Sequence, residues 1–134
     1  KACDISMCLD VVKSKQDGIN SVVEQHGRNF SGGQRQRLSI ARVIARKPEI
    51  LILDDSTSAV DTKTDSLIRK AFAEEIPNTT KIIIAQRIAS VQDADKIIVM
   101  EKGEINGVGT HEELLVSNSI YKEVYESQVK GSDE

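Results

Sequence analysis

The stretch Phe30–Asp61, FSGGQRQRLSIARVIARKPEILILDDSTSAVD, decides the fold. Ser31 stands where a helix N-cap belongs, and Gln34 three residues later completes the reciprocal capping pair. The helix it opens is predicted to run to about Arg46, with Leu38, Ala41, Ile44 and Ala45 inward, and Pro48 marks its end. Ile50–Leu53, ILIL, is a short unbroken apolar run between a proline and a polar cluster, the pattern of a strand buried on both faces of a parallel sheet. Asp54 and Asp55 follow directly, at the strand end where open parallel sheets hold their ligands.

Towards the C-terminus, a second helix is predicted from about Thr62, with Asp65 as its capping partner and Leu67, Ile68, Ala71, Phe72 and Ile76 on one stripe. Pro77-Asn78 breaks it, and Lys81–Ala85, KIIIA, repeats the buried-strand pattern. Strand, helix and strand at this spacing form a right-handed crossover. The apolar run ending at Met100 leads through Lys102-Gly103 into EINGVG, which reads as a hairpin. Thr110 and Glu113 cap another short helix, and the tail beyond Val129 is expected to fray. Towards the N-terminus, Ile5, Leu9 and Val12 predict a helix that stops near Asp17-Gly18, and residues 19–30 read as an exposed loop.

Composition narrows the classes. With 134 residues the chain suffices for one core, and 39% apolar with 29% charged residues is ordinary for a globular protein. A net charge of -3 gives no long-range pull toward nucleic acid or an anionic membrane, so no nucleic-acid partner is expected. No apolar run approaches the roughly 18 residues of a membrane span, so any membrane connection is expected to come through a partner or a missing part. Cys3 and Cys8 would point about 140° apart on a continuous helix, so they read as idle thiols in a reducing compartment rather than a metal pair or a local disulfide.

Two groups of residues carry candidate chemistry. Gly32 and Gly33 let the backbone approach a ligand closely, and the helix behind them offers free N–H groups beside the Ser31 hydroxyl. An anion suits that arrangement; a plain turn and cap accounts for it as well. Asp54 and Asp55 repel one another unless a cation, a proton or solvent intervenes, which points to a divalent metal, with capping of the next turn as the alternative.

In order, FSGGQ, ILILDD, TSAVD, IIIAQR and GTHEELL resemble the signature, the Walker B strand, the D-loop, the switch strand and the C-terminal region of an ATP-binding cassette (ABC) ATPase domain of the exporter type. The resemblance covers nearly the whole chain. It implies an α/β fold: a P-loop NTPase-like parallel sheet with flanking helices, incomplete, plus a remnant of the helical subdomain and a C-terminal hairpin. Residues 1–48 would belong to the helical subdomain, 49–129 to the ATPase core and 130–134 to a flexible tail. It further implies ATP and Mg2+ as cofactors. Ser31, Gly32, Gly33 and Gln34 would meet the γ-phosphate of an ATP held by a second, head-to-tail ATPase subunit. Asp54 would hold the magnesium, Asp61 would couple the paired sites, and VVEQHG would sense the transmembrane domains at the cytoplasmic face of a membrane.

Two positions depart from the family pattern. Asp55 stands where the family has a glutamate that orients or deprotonates the attacking water, and it is about one methylene shorter, an offset able to cost on the order of 10²-fold in rate. Gln86 stands where the family has a histidine; it donates a hydrogen bond but carries no titrating charge. Both fall on the chain's own site, as in the degenerate member of a heterodimeric exporter, with a homodimer as the alternative. No glycine is followed by lysine, so a phosphate loop is expected upstream of Lys1, and the isolated chain is expected to be inactive. Readings from other classes are a non-catalytic cassette docking module, the ATPase head of a DNA-repair or chromosome-maintenance protein, and a translation-factor cassette.

Overall fold

A left-handed residue, Met7 at φ 55°, divides the first helical stretch into α1 (Ala2–Ile5) and α2 (Leu9–Lys13). The Cys8 N–H reaches the Cys3 carbonyl at 2.8 Å and the Met7 N–H the Asp4 carbonyl at 3.0 Å, the paired bonds of a Schellman stop. The single helix expected to Gly18 is therefore not formed, and the inward face changes: Ile5 and Val11 are buried while Leu9 is exposed. This computed structural model describes residues 1–131; Ser132–Glu134, most of the expected fraying tail, lie outside the described residues.

Residues 19–30 are less open than expected. Two short 3-10 turns, Gly18–Asn20 and Gln25–Gly27, carry the chain to a buried Gly27 and a buried Phe30. Helix α3 (Gly32–Ile44) then starts as the sequence requires, with Ser31 and Gln34 closing both halves of the capping box. It buries Ile40, Ala41 and Ile44, whereas Ala45, expected inward, is the exposed C-cap. Lys47 at φ 52° turns the chain before Pro48.

Strands β1 (Ile50–Asp54) and β2 (Thr80–Ile84) pair in parallel, from Ile50 opposite Thr80 to Asp54 opposite Ile84. Helix α4 (Thr62–Glu75) forms the crossover between them. Leu51 and Leu53 join Ile5, Ile40, Ile68 and Phe72 in the core. Burial on both faces does not hold: Ile50, Ile52, Ile82 and Ile84 are 48 to 62% exposed, because helices pack on one side of this two-stranded sheet. Period-2 exposure replaces the unbroken burial that the apolar runs implied.

The start of α4 is also corrected. Asp61, not Thr62, is the N-cap, its side chain accepting from the Thr64 N–H at 2.9 Å. Asp65 is buried and faces the Arg69 guanidinium at 3.5 Å, one helical turn on. Ile68, Ala71 and Phe72 are buried as expected, and Leu67 is exposed.

Residues 1–84 form one compact unit, so the signature helix and the β1–α4–β2 crossover belong together; a second unit begins at Ala85. Within it, β3 (Ile97–Glu101) and β4 (Glu104–Gly109) make the expected hairpin through Lys102 and Gly103, both at positive φ. Thr110 and Glu113 cap α5 (His111–Ser117) reciprocally, and Asn118 caps α6 (Ser119–Lys130). Lys130, assigned to the tail, is still helical. Ile88, Ile97, Leu114 and Tyr121 form this unit's core, with the Tyr121 hydroxyl 2.9 Å from His111 Nδ1.

Candidate functional site

The N-terminus of α3 and the segment between β1 and α4 enclose an open cleft of about 410 Å3. Ser31, Gly32, Gly33, Gln34 and Arg37 line one wall, and Ala59, Val60 and Asp61 the other. Five predicted site residues, Ser31, Gly32, Gly33, Gln34 and Asp61, thus meet in one place although up to 30 positions separate them.

Neither glycine has positive φ, so dihedral freedom explains neither, and lack of space explains only Gly33. A Cβ on Gly33 would stand 2.7 Å from the Ala59 carbonyl oxygen, whereas one on Gly32 would make an ordinary 3.5 Å contact with the Ala59 Cβ. Close approach of the two walls is what Gly33 allows. The Ser31 side chain accepts from the Gln34 N–H at 3.2 Å, and the Gln34 side chain accepts from the Ser31 N–H at 3.0 Å. The first-turn N–H groups of Gly32 and Gly33 have no carbonyl four residues back within the helix, so they point a partial positive charge into the cleft.

One residue that holds the walls together was not anticipated. Gln36 accepts from the Ala59 N–H at 2.9 Å and donates to the Ser58 hydroxyl at 2.9 Å, with a longer 3.5 Å contact to the Asp55 carbonyl. A glutamine three residues past the glycine pair carries no sequence signal for this, because its partners lie 19 to 23 residues away.

Asp61 faces the cleft from the cap of α4. Hydrogen bonds from the Thr64 side chain, then from the Thr64 backbone, hold its carboxyl below the usual aspartate range. Asp54 closes β1 and is exposed; Asp55 follows in the left-handed region, φ 47°, its N–H bound to the Ile84 carbonyl at 2.8 Å. Neither lines the cleft. Gln86 lies in the second unit with its side chain exposed. Its carbonyl accepts from Gln128 Nε2 at 2.8 Å while Gln128 Oε1 accepts from the Ile88 N–H at 2.8 Å, so Gln128 clamps the segment from both sides. That clamp, too, was missed, 42 residues separating its ends.

Among the described residues no group of three or more His, Cys, Asp or Glu could hold a metal. Magnesium is ordinarily held through one or two carboxylates together with phosphates and water. The exposed Asp54 beside Asp55 fits that role and not that of an all-protein metal cage. The anion-ready start of α3 likewise fits a phosphate.

Residues 7–58 match the family model described as ABC transporter. The chain belongs to the ATP-binding cassette transporter family. Within it, the chain is homologous to part of the nucleotide-binding domain of exporters. It is 43% identical over 117 residues to the ATP-dependent lipid A-core flippase of Acinetobacter baylyi, covering 87% of this chain and 20% of the relative. It is 45% identical over 119 residues to the multidrug resistance-like ATP-binding protein MdlB of Buchnera aphidicola, covering 89% of this chain and 20% of that protein. A solved bacterial Atm1-family ABC exporter with ATP bound superposes with a TM-score of 0.89 at 32% identity, over 96% of this chain and 23% of that one. The chain thus spans about a fifth of the length of the relatives it matches. The docking-module and DNA-repair or chromosome-maintenance readings gain no support from these relatives. Among the described residues, no helix is long and apolar enough to cross a membrane.

Proposed function

We propose that this chain forms the signature and Walker B part of an ATP-hydrolysing cassette that powers export across a membrane from its cytoplasmic face. The single observation that carries this is the cleft in which Ser31, Gly32, Gly33 and Gln34 stand against Asp61. Its residues are fit to receive the terminal phosphate of a nucleotide held by a second, head-to-tail ATPase subunit. The Gly32 and Gly33 N–H groups and the Ser31 hydroxyl would donate to the anion, and Asp61, ionised at neutral pH, lines the opposite wall of the cleft.

By the family resemblance, Asp54 would hold the metal at the chain's own nucleotide, Asp55 would stand in for the glutamate that orients the attacking water, and Gln86 would stand in for the switch histidine. Bound Mg2+ would neutralise charge developing on the phosphates. Asp55 is too short to place its carboxylate where a glutamate's would be, and Gln86 cannot change charge, so this site turns over slowly. The partner is then a second ATPase subunit with an intact site, in a heterodimer, attached to transmembrane domains through the segment around Val22–Gly27, where Val22 and Val23 are exposed. A boundary at 48/49 between helical subdomain and ATPase core would then fall inside the compact unit formed by residues 1–84.

The test is steady-state ATP turnover of the full-length protein with its partner. Asp55→Glu together with Gln86→His should raise turnover by about 10²-fold at this site. No rise would remove the degenerate-site reading.

A further inference from the structure

The Schellman stop that ends α1 places Cys3 and Cys8 at the two positions whose side chains touch in that motif. The helical spacing that set them about 140° apart no longer applies once Met7 takes φ 55°. Cys8 is fully buried among Val11, Phe30 and Ala41, and the half-buried Cys3 packs against that same cluster. Both thiols are free. The Ser6 hydroxyl stands in the same turn, 3.1 Å from the Cys8 sulfur and 3.3 Å from the Cys3 carbonyl, and can donate its proton to either.

We propose that Cys3 and Cys8 are a redox pair that closes into a reversible intramolecular disulfide when the chain meets a hydroperoxide. Cys3 is the one that solvent reaches, so its thiolate attacks the peroxide. An S–O bond forms and the O–O bond breaks; the leaving hydroxide or alkoxide takes up the proton that the Cys3 thiol gave up and departs as water or an alcohol, giving a sulfenic acid on Cys3. The Cys8 sulfur then attacks the Cys3 sulfur; the S–S bond forms and the S–O bond breaks. The departing hydroxide takes the Cys8 proton and leaves as water. Two thiols are oxidised by two electrons and one peroxide is reduced.

The division of labour follows from burial. Desolvation pushes the Cys8 thiol up to about 11, opposed by the Ser6 hydrogen bond, so Cys8 stays protonated and shielded until Cys3 is activated. The turn is also coupled to the cleft. The Met7 carbonyl accepts a hydrogen bond from the Arg37 guanidinium, which also meets Asp10 at 3.2 Å, and Arg37 lines the wall carrying the signature residues. A closed disulfide would pin the turn that anchors Arg37. Transient disulfides of this kind are the sort that occur in reducing compartments.

The experiment is titration of the reduced full-length chain with hydrogen peroxide, followed by intact mass and thiol labelling after unfolding. The expected product is a single chain about 2 Da lighter, with neither Cys3 nor Cys8 left to alkylate, restored by dithiothreitol. Closure should run at least about tenfold faster in buffer than in urea, because the turn holds the sulfurs together. In Cys8→Ser, Cys3 should stop at the sulfenic acid or bridge to another chain. Oxidation of Cys3 alone with Cys8 still alkylatable would overturn the proposal. So would bridges only between chains, equal rates in urea and buffer, or a 2 Da loss in Cys8→Ser.

Discussion

Replacing Gly33 by alanine tests whether the cleft walls are held at contact distance. The added Cβ would lie 2.7 Å from the Ala59 carbonyl oxygen, against roughly 3.3 Å for a close but tolerable C···O contact, so the backbone must open by about 0.6 Å. A backbone carbonyl cannot rotate away, and the Ala59 N–H is tied to Gln36. Overpacking of this kind costs about 1–3 kcal/mol, while alanine's helix preference over glycine returns up to about 1 kcal/mol. With the full return the net loss is up to about 2 kcal/mol, as much as roughly 30-fold in the folding equilibrium. Gly32→Ala is the matched control: its Cβ makes a 3.5 Å contact with Ala59, so it should be neutral or slightly stabilising. Urea unfolding of both variants, followed by circular dichroism, gives the comparison. Equal midpoints, or a higher one for Gly33→Ala, would refute the close-approach argument.

Gln36→Ala should cost about 0.5–1.5 kcal/mol and expose the Ala59 amide, so that its hydrogen exchange quickens relative to amides in α4. Asp61 has a folded pKa below its ordinary value near 3.8, so its contribution to stability is present above that pH and is lost as pH falls through the lower folded value. Acid unfolding should therefore show a steeper decline for the native chain than for Asp61→Asn, which keeps a capping oxygen and removes the titration. Parallel curves for the two would show that Asp61 does not contribute.

Local signals in the sequence were legible where the physics is local. The capping boxes at Ser31–Gln34 and Thr110–Glu113, the Lys102-Gly103 hairpin and the strand–helix–strand crossover all stand as expected. Where a competing local bond existed, periodicity misled: the Schellman stop at Met7 outweighed the helical spacing of Ile5, Leu9 and Val12. Asp61 likewise displaced Thr62 as a cap because its carboxylate reaches the Thr64 N–H. Apolar runs report that a strand is hydrophobic, not how many faces are covered, so the open side of Ile52 and Ile82 was invisible. The candidate site was read through its glycines and aspartates. The residues that position it, Gln36 and Gln128, were not, since each acts over 19 to 42 positions of sequence.

The central claim is that the signature end of α3 receives a phosphate from a facing subunit. Ser31→Asp examines it most directly, because aspartate caps a helix as well as serine does while placing a negative charge at the anion's position. Two like charges about 4 Å apart near a protein surface repel by roughly 4 kcal/mol, which corresponds to an effect of at least about 10²-fold. ATP turnover of the full-length protein with its partner should fall by at least about 10²-fold while the urea midpoint of the variant stays at that of the parent chain. Unchanged turnover with an intact fold would contradict the account.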